Sequence, residues 1–172
     1  MDRYADFSTG NVVKVHSNQL EEFYHIAAAN QEKKRYRLCL HDAPGNKLQE
    51  MMICKTNKDY GPPHKHQHIA ESHILLQGKE LVILFSSDGN VEDAFILDPN
   101  NDFLSYRINT DVYHMSIVLS DYSVDYEVKV GPFDPNDNII PDWAPNIDDK
   151  AAVADFVKKV RESAENILEN KR

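Results

Sequence analysis

The chain has 172 residues, of which 41% are hydrophobic and 27% are charged, and its formal net charge is −9. These values are typical of a globular domain with a full core, so we expect one domain over residues 1–172 and exclude a disordered chain. The negative charge disfavours nucleic acid and anionic membranes as partners. Because no apolar run approaches about 18 residues and no basic-then-apolar signal opens the chain, we expect a cytoplasmic protein. Cys39 and Cys54 are predicted to be reduced core thiols.

The first predicted element is a helix over residues 18–30, in which Asn18 and Glu21 form a candidate capping box. Short strand-like segments follow, separated by turn residues, with no helix between them over about residues 35–130. This succession predicts an antiparallel β-sandwich or barrel. A C-terminal helix with one apolar face is predicted over residues 148–169. The predicted strands are 35–41, 48–55, 73–77, 81–85, 91–97, 103–108, 113–119 and 124–130.

A cluster of histidines lies between His64 and His73. On an extended strand His64 and His66 point the same way, so their imidazoles can converge on one ion. Glu71 follows after a turn, and His114 enters from a different strand. Three neutral imidazoles and one carboxylate suit a borderline divalent metal and leave coordination positions open. The sequence therefore predicts a metal site on a β scaffold, with His64, His66, Glu71 and His114 as its ligands.

Other histidines leave alternatives open. His68 shares the face of His64 and His66 if the strand stays regular, but the spacing favours His64 and His66 as ligands. His73 is predicted to line the pocket or lie at the surface. A second interpretation has no metal and makes His64 and His66 acid–base groups.

The spacing His64-x-His66-x4-Glu71-x6-Gly78 resembles the first signature of the cupin superfamily, and the hydrophobic strand entered by His114 resembles the second. Residues 127–133 (Glu-Val-Lys-Val-Gly-Pro-Phe) and 143–145 (Trp-Ala-Pro) narrow the resemblance to the WbuC-type cupin-fold metalloproteins, over about residues 20–148. Where the second signature usually has proline and glycine, this chain has Asn109 and Asp111. Since Asn and Asp adopt turn conformations that glycine favours, we expect the turn to be kept.

This resemblance implies a mainly β cupin fold, a double-stranded β-helix or small antiparallel barrel, with one N-terminal and one C-terminal α-helix. It implies one divalent metal ion (zinc, iron, manganese or nickel), a homodimer and a surface-polysaccharide context. The expected substrate is a carbohydrate or nucleotide-sugar derivative, and the expected reaction is isomerisation or epimerisation. Two alternatives stay open. One is an iron-dependent small-molecule dioxygenase, and the other is a non-catalytic sugar or small-ligand binding protein with a structural metal.

The predicted strand 124–130 alternates apolar residues with Asp125, Glu127 and Lys129. Successive side chains of a strand point to opposite faces, so these three share one face. That face is either solvated or forms the mouth of the barrel. In the second case, Glu127 and Lys129 steer a substrate or orient a ligand histidine.

The candidate acid–base residues are Glu127, His68 and Tyr113, and the candidate substrate-binding residues are Arg37 and Lys129. Arg37 has two interpretations. It forms a structural ion pair with Glu50 on the next predicted strand, or it binds a phosphate or carboxylate with two parallel hydrogen bonds.

Overall fold

A computed structural model describes residues 5–30 and 34–171. Predictions that involve residues 1–4, 31–33 and 172, including part of the N-terminal signal argument and of the domain range, lie outside the described residues. Helices α1 and α2 span Gln19–Ala29 and Lys150–Asn170, and a short 3-10 helix spans Pro135–Asp137. The strands β1 to β11 are Ala5–Phe7, Arg35–Cys39, Leu48–Thr56, Lys65–His66, Glu71–Gln77, Glu80–Phe85, Val91–Leu97, Ser105–Ile108, Tyr113–Val118, Tyr122–Val130 and Asn138–Ile139.

The strands form two main sheets. The larger has six strands in the order β1-β2-β3-β10-β5-β8, the smaller has the order β7-β6-β9, and β4 pairs with β11. Apart from the parallel pair β1–β2, the strand pairs are antiparallel. A cluster of Leu75, Val82 and Leu97 joins β5 of the larger sheet to β6 and β7 of the smaller one. The predicted mainly β, antiparallel architecture with a helix near each end is confirmed.

Strand β10 has its apolar residues on the outside and its polar residues on the inside. Val124 on the outer face packs in one cluster with Phe23 and Ala27 of α1. On the inner face, Asp125 and Glu127 are only 1% and 6% exposed and line a cavity. Since α1 buries the outer face of the sheet, the inner face is free to carry charged groups. Of the two interpretations of this polar face, the solvated one is wrong.

The two helices begin differently. The predicted capping box of α1 is wrong, because Asn18 already has helical angles (φ −68°, ψ −18°) and its side chain makes no capping hydrogen bond. Instead, the backbone N–H of His16 donates to Gln19 Oε1 at 2.7 Å, the reciprocal contact of a capping box placed two residues earlier. At the start of α2, Asp149 accepts a hydrogen bond from the N–H of Ala152.

Helix α2 buries Val160 and Ala164 against the smaller sheet, in a cluster with Leu81, Ile83 and Phe85. Its other faces are exposed, as its predicted amphipathic pattern requires. Neither helix within the described residues has the length and apolarity that crossing a membrane requires.

Two glycines differ in whether the fold requires the absence of a side chain at their positions. Gly78, between β5 and β6, has a φ of +89°, and an added Cβ would lie 2.3 Å from the carbonyl oxygen of Tyr122. Gly45 has no atom within 4 Å of that position. We expect Gly78→Ala to lower the free energy of unfolding by about 1–3 kcal/mol, and Gly45→Ala to change it by less than about 1 kcal/mol. Urea unfolding measures the free energy of unfolding of both variants. Equal losses in the two would contradict the positive φ assigned to Gly78.

Candidate metal centre

The carboxylate of Glu71 lies at the centre of the site, at the start of β5. It is 4% exposed and is surrounded by three imidazoles. Its Oε1 lies 2.8 Å from His114 Nε2 and 3.3 Å from His73 Nε2, and its Oε2 lies 3.2 Å from His66 Nε2. Across the described chain, no lysine or arginine forms an ion pair with this carboxylate. Glu71 is therefore a buried negative charge whose near neighbours are imidazole nitrogens.

The four histidines of the site all turn their Nδ1 atoms outward to an oxygen that accepts a hydrogen bond. The pairs are His64 with Pro62 O at 3.1 Å, His114 with Val112 O at 2.9 Å, His66 with Asp137 Oδ2 at 3.0 Å, and His73 with Asp125 Oδ2 at 3.0 Å. Carbonyl and carboxylate oxygens only accept, so the hydrogen-bond network assigns the proton to Nδ1. In a neutral ring, Nε2 then carries a lone pair, which is the ligand atom a metal needs.

The geometry brings the four predicted ligands together. His64, His66 and Glu71 offer ligand atoms that all lie within 4.8 Å of one another. His114 joins them through its contact with Glu71, and the ring centres of His114 and His64 are 4.4 Å apart. Two strand segments hold the histidines in place, because the N–H of His64 donates to the carbonyl of His114 and the N–H of His114 donates to that of His64. Nitrogen and oxygen donors in this number fit a borderline divalent ion.

The electrostatics of the cluster suit a cation. Burial lowers the pKa of His64 to about 3, and neighbouring His114 adds to this effect, so the ring is neutral at pH 7. Burial alone would raise the pKa of Glu71, but its contacts with the Nε2 atoms of His114, His66 and His73 lower it well below its usual range. The site therefore combines an ionised carboxylate with inward-facing imidazoles. An ionised Glu71 and a neutral His64 are the forms in which these two groups bind a metal.

Comparisons with known proteins agree with this fold. A family model described as a domain of unknown function (DUF6016) matches residues 15–97. No curated protein matches the sequence. The capsular polysaccharide assembling protein CapF from Staphylococcus aureus superposes with a TM-score of 0.53 at 14% identity, over 66% of this chain and 33% of CapF. A second CapF structure gives a TM-score of 0.52 at 16% identity, over 61% and 29% of the two chains. The chain has a cupin fold. It spans about a third of the length of CapF, and at this identity the likeness shows the fold alone.

The inner face of the fold encloses a cavity of about 330 Å³ beside the histidines. Lys129 is the cross-strand partner of Glu71, and Glu127 is the partner of His73. Lys129 Nζ lies 2.8 Å from Glu127 Oε1. Burial alone would raise the pKa of Glu127, but Lys129 and the other nearby cations lower it, so the carboxylate is ionised.

Two predicted acid–base residues lie outside the cavity wall. The chain bends after His66, so His68 no longer shares its face; it is exposed, and its backbone N–H donates to Asp137 Oδ1 at 2.8 Å. Tyr113 packs edge-on against Trp143, and Lys65 Nζ lies 5.0 Å from the centre of its ring. Neither side chain lines the cavity. The geometry therefore gives no support to an acid–base role for His68 or Tyr113.

The predicted ion pair between Arg37 and Glu50 is wrong. Register places Arg37 opposite Ile53 on the inner face of β3, whereas Glu50 is on the other face and accepts a hydrogen bond from Tyr126. Arg37 lines the cavity instead. Its neighbour Arg35 forms a bidentate pair with Asp59, through Nε at 3.1 Å and Nη2 at 2.5 Å.

The sequence predicts His73 at the pocket lining or the surface, without a role at the metal centre. It assigns no role in the site to Asp125, Asp137 or Lys55. Burial alone would lower the pKa of His73, but hydrogen bonds to Asp125 and Glu71 raise it to about 10. Lys55 lies 3.1 Å from Asp125 and extends this buried network. Strand periodicity was the available signal for His73, because it is two residues from Glu71 on β5 and shares its face. No local pattern marks Asp137, which ends the short 3-10 helix Pro135–Asp137.

Proposed function

We propose that this cupin binds one divalent metal ion through His64, His66, Glu71 and His114, and that it is an enzyme acting on a carbohydrate derivative. The observation that carries the proposal is the buried carboxylate of Glu71, surrounded by imidazole Nε2 atoms whose Nδ1 protons are already donated elsewhere. A divalent cation satisfies the carboxylate and the inward lone pairs together. When bound, the ion would supply Lewis-acid chemistry by polarising a substrate carbonyl.

The proposed proton acceptor is Glu127. Its ionised carboxylate lines the cavity, and Lys129 holds it through the 2.8 Å contact. A positioned carboxylate that takes a proton from a carbon next to a carbonyl begins an isomerisation or an epimerisation. In this arrangement Lys129 positions Glu127, and Lys129 also contacts the bound substrate from the cavity wall.

The carbohydrate part of the proposal rests on resemblance. The segments 127–133 and 143–145 are similar to the WbuC-type cupins, and the fold is like that of CapF, a capsular polysaccharide assembling protein. We propose on this basis a WbuC-type cupin with a role in surface-polysaccharide metabolism, active as a cytoplasmic homodimer. Fold likeness alone does not identify a substrate, so the first experiment tests the metal site.

The decisive experiment is elemental analysis of protein purified without a histidine tag. We expect about one equivalent of a divalent metal, lost in His64→Ala and His114→Ala because each removes an imidazole ligand. His25→Ala, which changes an exposed histidine on α1, is the matched control and should keep the metal. Zinc, manganese or nickel would favour carbonyl chemistry, and iron would favour the dioxygenase alternative. If the unchanged protein holds no metal after each ion has been offered, the proposal is wrong.

A further inference from the structure

Four lysine and arginine side chains line the cavity within the described residues, and carboxylates of this chain neutralise three of them. The neutralised groups are Arg35 with Asp59, Lys55 with Glu80 and Asp125, and Lys129 with Glu127. Arg37 is the fourth, and in residues 5–30 and 34–171 no carboxylate forms an ion pair with it. The inner wall therefore presents one arginine whose charge is available to a ligand.

Arg37 is half-buried and lines the cavity. Its Nε is buried and has no hydrogen-bond partner in the described structure. A guanidinium does not lose its proton in a protein, so Arg37 keeps its charge at the cavity wall. A buried donor without an acceptor is costly, and proteins rarely keep one without a purpose. The planar fork of a guanidinium matches carboxylate and phosphate oxygens best, because it donates two parallel hydrogen bonds to them.

The position and size of the cavity limit which molecule can carry the carboxylate or phosphate that Arg37 would bind. Arg37 is on β2, which is three strands away from β5 in the same sheet, and the other proposed metal ligands come from the segment 64–66 and β9. The arginine and the metal ligands therefore line different parts of the cavity. A cavity of about 330 Å³ is at the lower end of the range for ligand pockets. This space suits one sugar ring with a single anionic group better than it suits a whole nucleotide sugar.

We infer that the cavity binds a monosaccharide-sized anion, whose carboxylate or phosphate is held by Arg37. The inference builds on the proposed function for the sugar, but its arginine contact does not depend on the metal. It narrows the substrate class from carbohydrate derivatives in general to sugar acids and sugar phosphates.

Isothermal titration of the full chain, loaded with its metal, tests the inference with three matched probes: glucuronate, glucose 6-phosphate and glucose. We expect at least one of the two anions to bind about tenfold or more tightly than glucose, since a charge-assisted contact contributes at least that much. The better of the two identifies the anion as a carboxylate or a phosphate. Arg37→Gln should lose this preference about tenfold or more, and Arg37→Lys should keep part of it, because it retains the charge without the fork.

Arg161→Gln, which changes an exposed arginine of α2, is the control and should bind like the unchanged protein. Circular dichroism and metal content are measured on each variant. If neither anion binds more tightly than glucose, or if Arg37→Gln binds as tightly as the unchanged protein, the inference is wrong. A protein that keeps its metal but shows no anion preference contradicts this inference alone. One that prefers anions through Arg37 without holding metal contradicts the metal proposal alone.

Discussion

Replacement of Lys55 by methionine is expected to lower the free energy of unfolding by about 3–5 kcal/mol. Lys55 Nζ lies 2.8 Å from Glu80 Oε2 and 3.1 Å from Asp125 Oδ1, and all three residues are buried. Methionine fills much of the same space but leaves two carboxylates without their shared cation. Breaking a buried ion pair by removing one partner is costly, because the remaining charge has no solvent to stabilise it. Urea unfolding followed by circular dichroism gives the value.

The matched control is Arg161→Gln, which breaks an exposed ion pair. Arg161 Nε lies 3.3 Å from Glu165 Oε1, and the two side chains are 48% and 57% exposed. Water screens that pair, so we expect a change within about 0.5 kcal/mol. Lys55→Arg keeps a cation between the carboxylates and should lose less than Lys55→Met. A loss for Lys55→Met as small as that of the surface control would show that the buried network does not stabilise the barrel.

Replacement of Asp137 by asparagine is expected to weaken metal binding about 10–100-fold. Asp137 Oδ2 accepts a hydrogen bond from His66 Nδ1 at 3.0 Å, and Oδ1 accepts one from the N–H of His68. Asparagine can keep the second contact, but its amide NH₂ then faces His66 Nδ1. That donor favours the tautomer with its proton on Nε2, and the ring loses the lone pair that would bind the metal.

A competition titration with a metal-binding dye, using the metal found by elemental analysis, gives the affinity. Asp134→Asn in the same segment is the control, because Asp134 caps the short 3-10 helix by accepting from the N–H of Asn136, which asparagine can also do. We expect its affinity to equal that of the unchanged protein. If Asp137→Asn also keeps full affinity, the assigned tautomer of His66 is incorrect.

The larger elements could be predicted because each has its own pattern. Alternation and turn residues gave the long strands nearly to their ends; the predicted segment 48–55, for example, is Leu48–Thr56 in the structure. The short strands β1 and β11 were missed, since two or three residues are too few to show a period. The turn before His114 was predicted correctly from Asp111, which has a φ of 64°.

The candidate site was predictable where its residues are close in sequence and less so where they are distant. The spacing of His64, His66 and Glu71 is local, so it pointed to a common site. Asp137 is 71 residues from His66 and meets it only through the folded chain. Arg37 and Glu50 were considered as a pair because their strands are neighbours, but pairing also requires a common face, which the register of β2 and β3 decides.

Strand β10 carries apolar side chains on its outer face and polar ones towards the cavity, and this arrangement affects how the protein can evolve. Along that strand, one set of side chains anchors helix α1 and the alternate set faces the cavity. Selection for packing against α1 and selection for a new substrate therefore act on different residues of the same nine-residue segment. A lineage can exchange Glu127 or Lys129 for other groups while Val124 and its apolar neighbours stay fixed. Such a scaffold can acquire new specificities without first losing its structure.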